Sequence, residues 1–517
     1  MAELFAKLAA ERPDADALLD ERGTTTWGQL DERANRLIHA LRAAGAAPGR
    51  TIAVMAGNCR EYYELFAAVS HGGISLVPVN WHWVADEVAY VLEDSGANVL
   101  VADARFADVA ADAASRVAGV TTTVAVGGAI EGFVPYAEFV ASGDATEPGE
   151  QSIGGPMFYT SGTTGRPKGV RGALGGGSNL PPALWELIAG GFKQMGLPPN
   201  ARTYLNGPLY HSAQWAFSFL PLLSGASVVM RHKFDPAESL RVIDEFGVTN
   251  THLVPTQFVR LLRLPDEVKA GFRGDSLQIV WHGAAPCPPE VKRRMIEWWG
   301  PKIVEYYGAT EGGVVSLCSS EEWLARPGTV GKPLPTVQIT IRDDDGELQP
   351  AGRSGTIWIK NLMGQDFEYH NDPDKTAKAH LEPGVFTMGD IGYLDDDGYL
   401  YMSDRKIDMI ISGGVNIYPA EIEGVLATHP AVRDAAVFGI PNEEFGEEVK
   451  AAVELHEGVS GGDELIADLL RHCRDHLAGY KVPRSVDVVE ALPRHPTGKL
   501  YKRLLRDPYW EGTGRTI

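Results

Sequence analysis

Between residues 27 and 43 apolar side chains return at helical spacing: Leu30, Ala34, Leu37 and Leu41. Gly45 and Gly49 follow, and residues 51–55 then run apolar almost without break. A period near 3.6, a glycine stop and a short apolar run predict a helix, a turn and a buried strand. The alternation continues with helices over 60–71 and 85–94 and strands over 74–79 and 99–102, and a second series runs from 204 to 307. Strands separated by helices predict parallel sheets covered on both faces. From 328 to 401 the pattern changes. Gly-, Pro- and Asp-rich turns separate short strands such as 338–342 and 355–359, which predicts a small β-barrel. After residue 404 βα units return and end near 509. The expected fold class is α/β: a large N-terminal domain (1–403) of two βα subdomains plus a small β-barrel, and a small α+β C-terminal domain (404–517).

Composition narrows the function. The 517 residues exceed what one core organises, and 44% hydrophobic against 22% charged residues is an ordinary globular balance. The formal charge of -21 argues against nucleic acid as a main partner, because phosphate-backbone binding needs clustered Lys and Arg. An anionic substrate must be met by local cations. The four cysteines, Cys59, Cys287, Cys318 and Cys473, form no CxxC pair and read as free thiols in a reducing cytoplasm. The group His472, Cys473, His476 lacks a fourth metal ligand. Residues 1–13 read as an amphipathic helix with Glu3, Lys7, Glu11 and Arg12, and no run of 18 apolar residues predicts a membrane span.

The densest chemistry is Tyr159-Thr160-Ser161-Gly162-Thr163-Thr164-Gly165-Arg166-Pro167-Lys168-Gly169-Val170, after a strand-like stretch from Pro156. Glycines let backbone N–H groups turn inward, the hydroxyls add donors, and Lys168 adds charge, so the loop suits a polyphosphate. Pro167 before Lys168 rules out a Walker A loop. The alternative for so Gly- and Thr-rich a segment is a plain flexible loop.

This segment resembles the signature of the adenylate-forming superfamily, which includes acyl-CoA synthetases, luciferases and peptide-synthetase adenylation domains. Further motifs carry the resemblance across nearly the whole chain. In Glu305-Tyr306-Tyr307-Gly308-Ala309-Thr310-Glu311 it implies that Tyr307 stacks on adenine, Thr310 binds the α-phosphate and Glu311 holds Mg²⁺, with Thr160 as a second magnesium contact. Gly283-Ala284-Ala285 resembles the adenine-side loop, and Asp390 after Gly389 the ribose-binding carboxylate. Here Val385-Phe386-Thr387-Met388 departs from the usual Trp-Phe-Arg/His-Thr before it. Asp404, Arg405, Lys406 and Ile407 resemble the inter-domain hinge, with Ile407 where Asp or Lys is common. Arg405 is expected at ribose or phosphate. Gly413-Gly414 resembles the pantetheine passage, and Lys499 in Pro496-Thr497-Gly498-Lys499 the catalytic lysine of a mobile C-terminal domain.

The resemblance therefore implies a nucleotide site built from Thr160, Ser161, Gly162, Thr163, Thr164, Gly165, Lys168, Gly283, Ala284, Ala285, Glu305, Tyr306, Tyr307, Gly308, Thr310, Asp390, Arg405 and Lys499, with Lys499, Thr310 and Glu311 catalytic. It also implies ATP, Mg²⁺ and coenzyme A as co-substrates and cofactor. Pro208-Leu209-Tyr210-His211-Ser212 resembles the acid-pocket lining, joined by Trp215, Trp281 and Gly308; Phe217 and Phe219 are further aromatics there, and most of these four aromatics also read as core. Amino-acid-activating relatives usually carry Asp near His211, and its absence points to another acid. Residues 171–177 lack the common Thr-His-Arg-Asn, as in ligases for bulky acids. The expected function is an acid–CoA ligase for a fatty or bulky, steroid side-chain type acid, in the cytoplasm, with a homodimer as candidate assembly. An aryl acid–CoA ligase, a carrier-protein-loading enzyme, a luciferase-like oxygenase and a non-catalytic nucleotide-binding module are the rivals.

Overall fold

The computed structural model describes residues 2–160, 167–172, 184–285, 287–405, 408–412, 415–442, 445–477, 479–494 and 500–511. Its N-terminal part is built on two large sheets. In the six-stranded sheet all pairings are parallel, and the strands run in the order Val134–Pro135, Thr122–Val126, Ala97–Asp103, Thr51–Met55, Ser75–Pro78 and Gly155–Pro156. Thr51–Met55 and Ala97–Asp103 are buried along their whole length, as strands covered on both faces must be.

The nine-stranded sheet is parallel at its centre and antiparallel at its edges. Ile279–His282 and Ile303–Ala309 are parallel neighbours in it, and Gly313–Cys318 runs antiparallel beside the latter. Helices Trp27–Ala43, Arg60–Gly72 and Ser212–Leu223 supply much of the shared core between the two sheets. The first follows the expected stripe: Leu30, Ala34, Leu37 and Leu41 are all buried. It starts where it does because Thr26 and Gln29 form a capping box, each side chain bonding the other's backbone N–H.

Residues 337–405 form an antiparallel sheet with its own core around Ile339, Ile357, Ile359 and Phe386. Its pairing path is open, from His380–Glu382 to Leu400–Arg405, so the sheet is barrel-like without closing. The small C-terminal domain differs from the run of βα units the sequence suggested. Its centre is a long antiparallel hairpin, Val432–Asn442 with Gly446–Leu455, and one parallel pairing to Ser485–Val489. Two apolar runs of hairpin spacing resemble two buried parallel strands when only hydrophobicity is read. Helices Pro419–Leu426 and Asp463–His476 pack on it. On the second helix Cys473 points into that core, while His472 Nε2 bonds Thr428 Oγ1 and the Val425 carbonyl. Among the described residues no helix is long and apolar enough to cross a membrane.

Thr26→Ala removes the cap of the helix at the centre of the shared core. We expect a loss of about 1 kcal/mol, read as a lower denaturant midpoint with an unchanged slope; an unmoved midpoint would show that the cap contributes nothing.

Candidate functional site

A cleft of about 1920 Å³ runs along the carboxyl ends of the central strands, where open α/β sheets bind ligands. Thr160, at the end of the Phe158–Thr160 strand, and Ala284, Ala285, Gly308, Thr310 and Glu311 all line it. Lys168 stands opposite Thr160 in the paired strand, and its Nζ sits 3.0 Å from Asp372 Oδ2. That carboxylate's hydrogen bond raises the lysine's pKa and keeps it charged. Ser161, Gly162, Thr163, Thr164 and Gly165 lie outside the described residues.

The strand Ile303–Ala309 organises the site through its alternation. Glu305 faces a buried ion pair with Lys292, whose side chain is wholly inaccessible. Burial pushes the Glu305 carboxyl up against the pull of Lys292. Only the Glu305 backbone is therefore left to meet a nucleotide; its side chain is committed elsewhere. Tyr307 also turns from the cleft wall, and its hydroxyl donates to Asp390 Oδ2 at 2.7 Å. The two residues expected at adenine and ribose are thus linked to each other. Tyr306 faces the cleft. Its ring lies so close to Gly283 that a Cβ there would stand 2.7 Å from the ring and 2.6 Å from the Tyr306 carbonyl. Ala284 follows at φ 65°, in the left-handed region that L-residues seldom adopt. A Cβ on Gly308 would come within 2.0 Å of the Gly313 carbonyl. These glycines let the adenine-side loop and the two strands close up.

Beyond the strand, Thr310 Oγ1 is 2.7 Å from Ser212 Oγ, and Tyr369 Oη donates to Glu311 Oε1 at 3.0 Å. Lys375 Nζ sits over the Tyr369 ring at 4.0 Å. Glu311 and Thr160 offer oxygen donors only, a set that suits Mg²⁺. The acid side of the cleft is aromatic. His211, at the N-terminus of the Ser212–Leu223 helix, and Trp215 line it, and Trp215 Nε1 has no acceptor among the described residues. Trp281, expected on this wall, stands one layer behind it. It is fully buried against Phe192 and Phe217, with Nε1 bonded to the Met195 carbonyl.

From the C-terminal domain, Asp408, Leu500, Tyr501, Lys502 and Arg503 reach the same cleft. Leu500 pairs with Arg494 in an isolated bridge. Lys499, Lys406, Ile407, Gly413 and Gly414 lie outside the described residues, and Asp404 and Arg405 are described by backbone alone, paired with Ile391 and Asp390. Sequence reading missed Lys292, Tyr369, Asp372 and Lys375, which belong to no motif, and Ser212 was quoted only as the end of the acid-pocket segment. Gln214 and His252 were missed as well, although alternation along 303–309 would have shown that Tyr306 and Tyr307 face opposite ways.

A phosphate-side strand pair, an oxygen-only donor set and an aromatic acid pocket at the end of a parallel sheet define an enzyme that joins an acid to a nucleotide. The AMP-binding enzyme family matches residues 5–363 and the AMP-binding enzyme C-terminal domain matches residues 421–499. The chain belongs to this family, in the acyl-CoA synthetase branch of the adenylate-forming superfamily. It is 31% identical to the fatty acid–acyl-carrier-protein ligase ScoC of Streptomyces coeruleorubidus, over 98% of this chain and 96% of that one. It is also 31% identical to the 3-(7a-methyl-1,5-dioxo-octahydro-1H-inden-4-yl)propanoyl:CoA ligase of Rhodococcus jostii (strain RHA1), over 97% of each. Among solved structures, o-succinylbenzoate CoA synthetase (MenE) of Bacillus subtilis with its acyl-adenylate intermediate superposes with a TM-score of 0.82 and 28% identity, covering 98% of both chains.

Lys292→Ala would leave the Glu305 carboxylate buried and unpaired, and we expect it to cost about 3–5 kcal/mol. Removing both charges together, as Lys292→Met with Glu305→Leu, should recover most of that. Thermal and denaturant unfolding of the two variants beside the wild type decides it: a double variant no better than the single one refutes the pairing.

Proposed function

We propose that this enzyme adenylates a bulky hydrophobic carboxylic acid, of fatty or steroid side-chain type, and transfers the acyl group to coenzyme A. The observation that carries the substrate class is the acid side of the cleft. Phe192, Met195, Trp215, Phe217 and Leu220 make it aromatic and apolar, a lining that suits a bulky hydrophobic acid. The Rhodococcus relative's name specifies a fused-ring propanoyl group and the Streptomyces relative's a fatty acid. An aryl acid is the second reading, favoured by the likeness to the succinylbenzoate enzyme. Loading of a carrier protein is the alternative to CoA, named in the Streptomyces relative.

The chemistry follows from charge. A carboxylate oxygen attacks the α-phosphorus of ATP, the bond to the bridging oxygen breaks, and pyrophosphate leaves. Both reactants are anions, and two unit charges at roughly 4 Å repel by about 1 kcal/mol in water and several times more in a drier cleft. Lys168 releases Asp372 to hold the departing phosphates. Thr310 donates to the α-phosphate, and Asp390, steadied by Tyr307, accepts from the ribose hydroxyls. Glu311 and Thr160 would hold Mg²⁺, which would neutralise charge at the phosphates. Lys499, adjacent in sequence to the cleft-lining Leu500, bridges the attacking carboxylate and the α-phosphate. The thiol of CoA then attacks the acyl carbonyl and AMP leaves, after the domains, dividing near residue 404, turn about Asp404 to Ile407 and bring Gly413-Gly414 to the cleft. Free thiols at Cys59, Cys287, Cys318 and Cys473 support a reducing, cytoplasmic setting, and a homodimer remains the candidate assembly.

CoA-dependent AMP release across short, long, aryl and steroid carboxylates tests the reading; AMP release that requires a carrier protein instead would overturn it. Lys499→Ala should slow adenylation by about 10²–10³-fold, the loss typical of one transition-state contact, while thioester formation from supplied acyl-adenylate survives. An equal loss in both half-reactions contradicts the role given to Lys499.

A further inference from the structure

On the acid side of the cleft lies an almost wholly buried string of three polar side chains. Gln214 Nε2 is 2.9 Å from His252 Nδ1, and His252 Nε2 is 2.9 Å from Tyr306 Oη. All three line the cleft, yet Gln214, His252 and Tyr306 are only 4%, 2% and 6% exposed. Phe217 stacks on the imidazole at 4.9 Å and lies 4.8 Å from the Tyr306 ring, fixing both.

With the Gln214 amide nitrogen turned toward the imidazole, as placed in the structure, the directions of the hydrogen bonds follow. An amide nitrogen only donates, so His252 Nδ1 must accept. Burial drives the His252 pKa down to about 3, so the ring is neutral at ordinary pH and carries one proton. With Nδ1 accepting, that proton is on Nε2, and the imidazole donates to Tyr306 Oη. The phenol oxygen is thereby an acceptor, and its own hydrogen must point elsewhere. Among the described residues it meets no acceptor. A buried donor without a partner costs about 1–3 kcal/mol, which a ligand that accepts from it recovers.

We propose that the Tyr306 hydroxyl selects the acid: the preferred substrate carries a neutral hydrogen-bond-accepting oxygen, a ketone, ether or phenol, remote from its carboxylate. This rests on the acid–thiol ligase reading and sharpens it, because an acid that is hydrocarbon throughout leaves the donor unmatched. Tyr306 lies four residues before Thr310, the residue assigned to the α-phosphate, with about 10 Å of strand from Tyr306 to Ala309, so the accepting oxygen belongs to the acid's body and not to the reacting carboxyl. Tyr306 holds the substrate and takes no part in bond making.

Pairs of acids matched in shape test it: 4-methoxycinnamate against 4-ethylcinnamate, and 3-(4-oxocyclohexyl)propanoate against 3-(4-methylidenecyclohexyl)propanoate, each measured as acid-dependent AMP release. The wild-type kcat/KM should favour the oxygenated member by about 10–100-fold. Tyr306→Phe should bring that ratio close to one. Gln214→Leu should lower it as well, because Nδ1 is then free to take the proton and Nε2 to accept from Tyr306. A wild-type ratio near one for both pairs overturns the proposal, and so does a preference that survives Tyr306→Phe. Because the wild-type comparison needs no variant, a misfolded variant leaves the test standing. If no acid at all releases AMP, with CoA or a carrier protein, the ligase reading itself fails; if all acids do so equally, only the selectivity fails.

Discussion

The site depends on the register of one strand. Along Ile303–Ala309, Glu305 and Tyr307 point to one side and Tyr306 and Gly308 to the other, with a register shift between Tyr307 and Gly308. A slip of one residue would exchange the faces. Glu305 would leave Lys292, Tyr307 would leave Asp390, and Tyr306 would leave the acid side of the cleft. Three independent contacts prevent this: a buried ion pair, a phenol–carboxylate hydrogen bond to the barrel-like sheet, and a backbone approach at Gly308 that tolerates no Cβ. Burying Lys292 and Glu305 together is a poor way to gain stability, since desolvation offsets the attraction. As a device for fixing register it is effective, because every slipped arrangement strands a charge.

The layered architecture was legible because burial on both faces leaves continuous apolar strands and striped helices, and the stripe of Leu30, Ala34, Leu37 and Leu41 needs no tertiary information to be seen. Gly283 and Gly308 stood out in motifs for a similar reason: close backbone approach restricts residue type locally. What escaped reading depends on partners far away in sequence. Asp372 meets Lys168 across some two hundred residues, and Tyr369 meets Glu311 across 58. Lys292 looks like any solvated helical lysine until the fold buries it. Trp281 carries the composition of a pocket residue and the position of a core one, and only packing separates these. The C-terminal hairpin was misread because hydrophobicity records burial and not strand direction.

A chain of formal charge -21 that handles three anions must localise its cations and keep them from collapsing onto its own carboxylates. The phosphate side solves this with exchangeable partners. Lys168 rests on Asp372, and Lys375 rests on the face of Tyr369, whose hydroxyl in turn occupies one oxygen of Glu311. Each contact is partly exposed, so little free energy is lost when a phosphate replaces it. Asp372 holds Lys168 charged, and both amines are positioned before the nucleotide arrives, which is the condition for electrostatic catalysis.

The acid side follows the opposite rule. Its polar string is buried and carries no charge, since His252 titrates near pH 3 and its neighbours are an amide and a phenol. Were His252 an imidazolium, the interior of the pocket would attract the substrate's carboxylate and bind the acid backwards, with its reactive end farthest from the α-phosphate. Neutrality there, and positive charge at the phosphate end, orient an amphipathic acid by electrostatics alone: the tail enters first and the carboxylate is left beside the nucleotide. Desolvation of His252 thus keeps this buried string uncharged, and the strand register that fixes Tyr306 against it presents the phenol to the acid side.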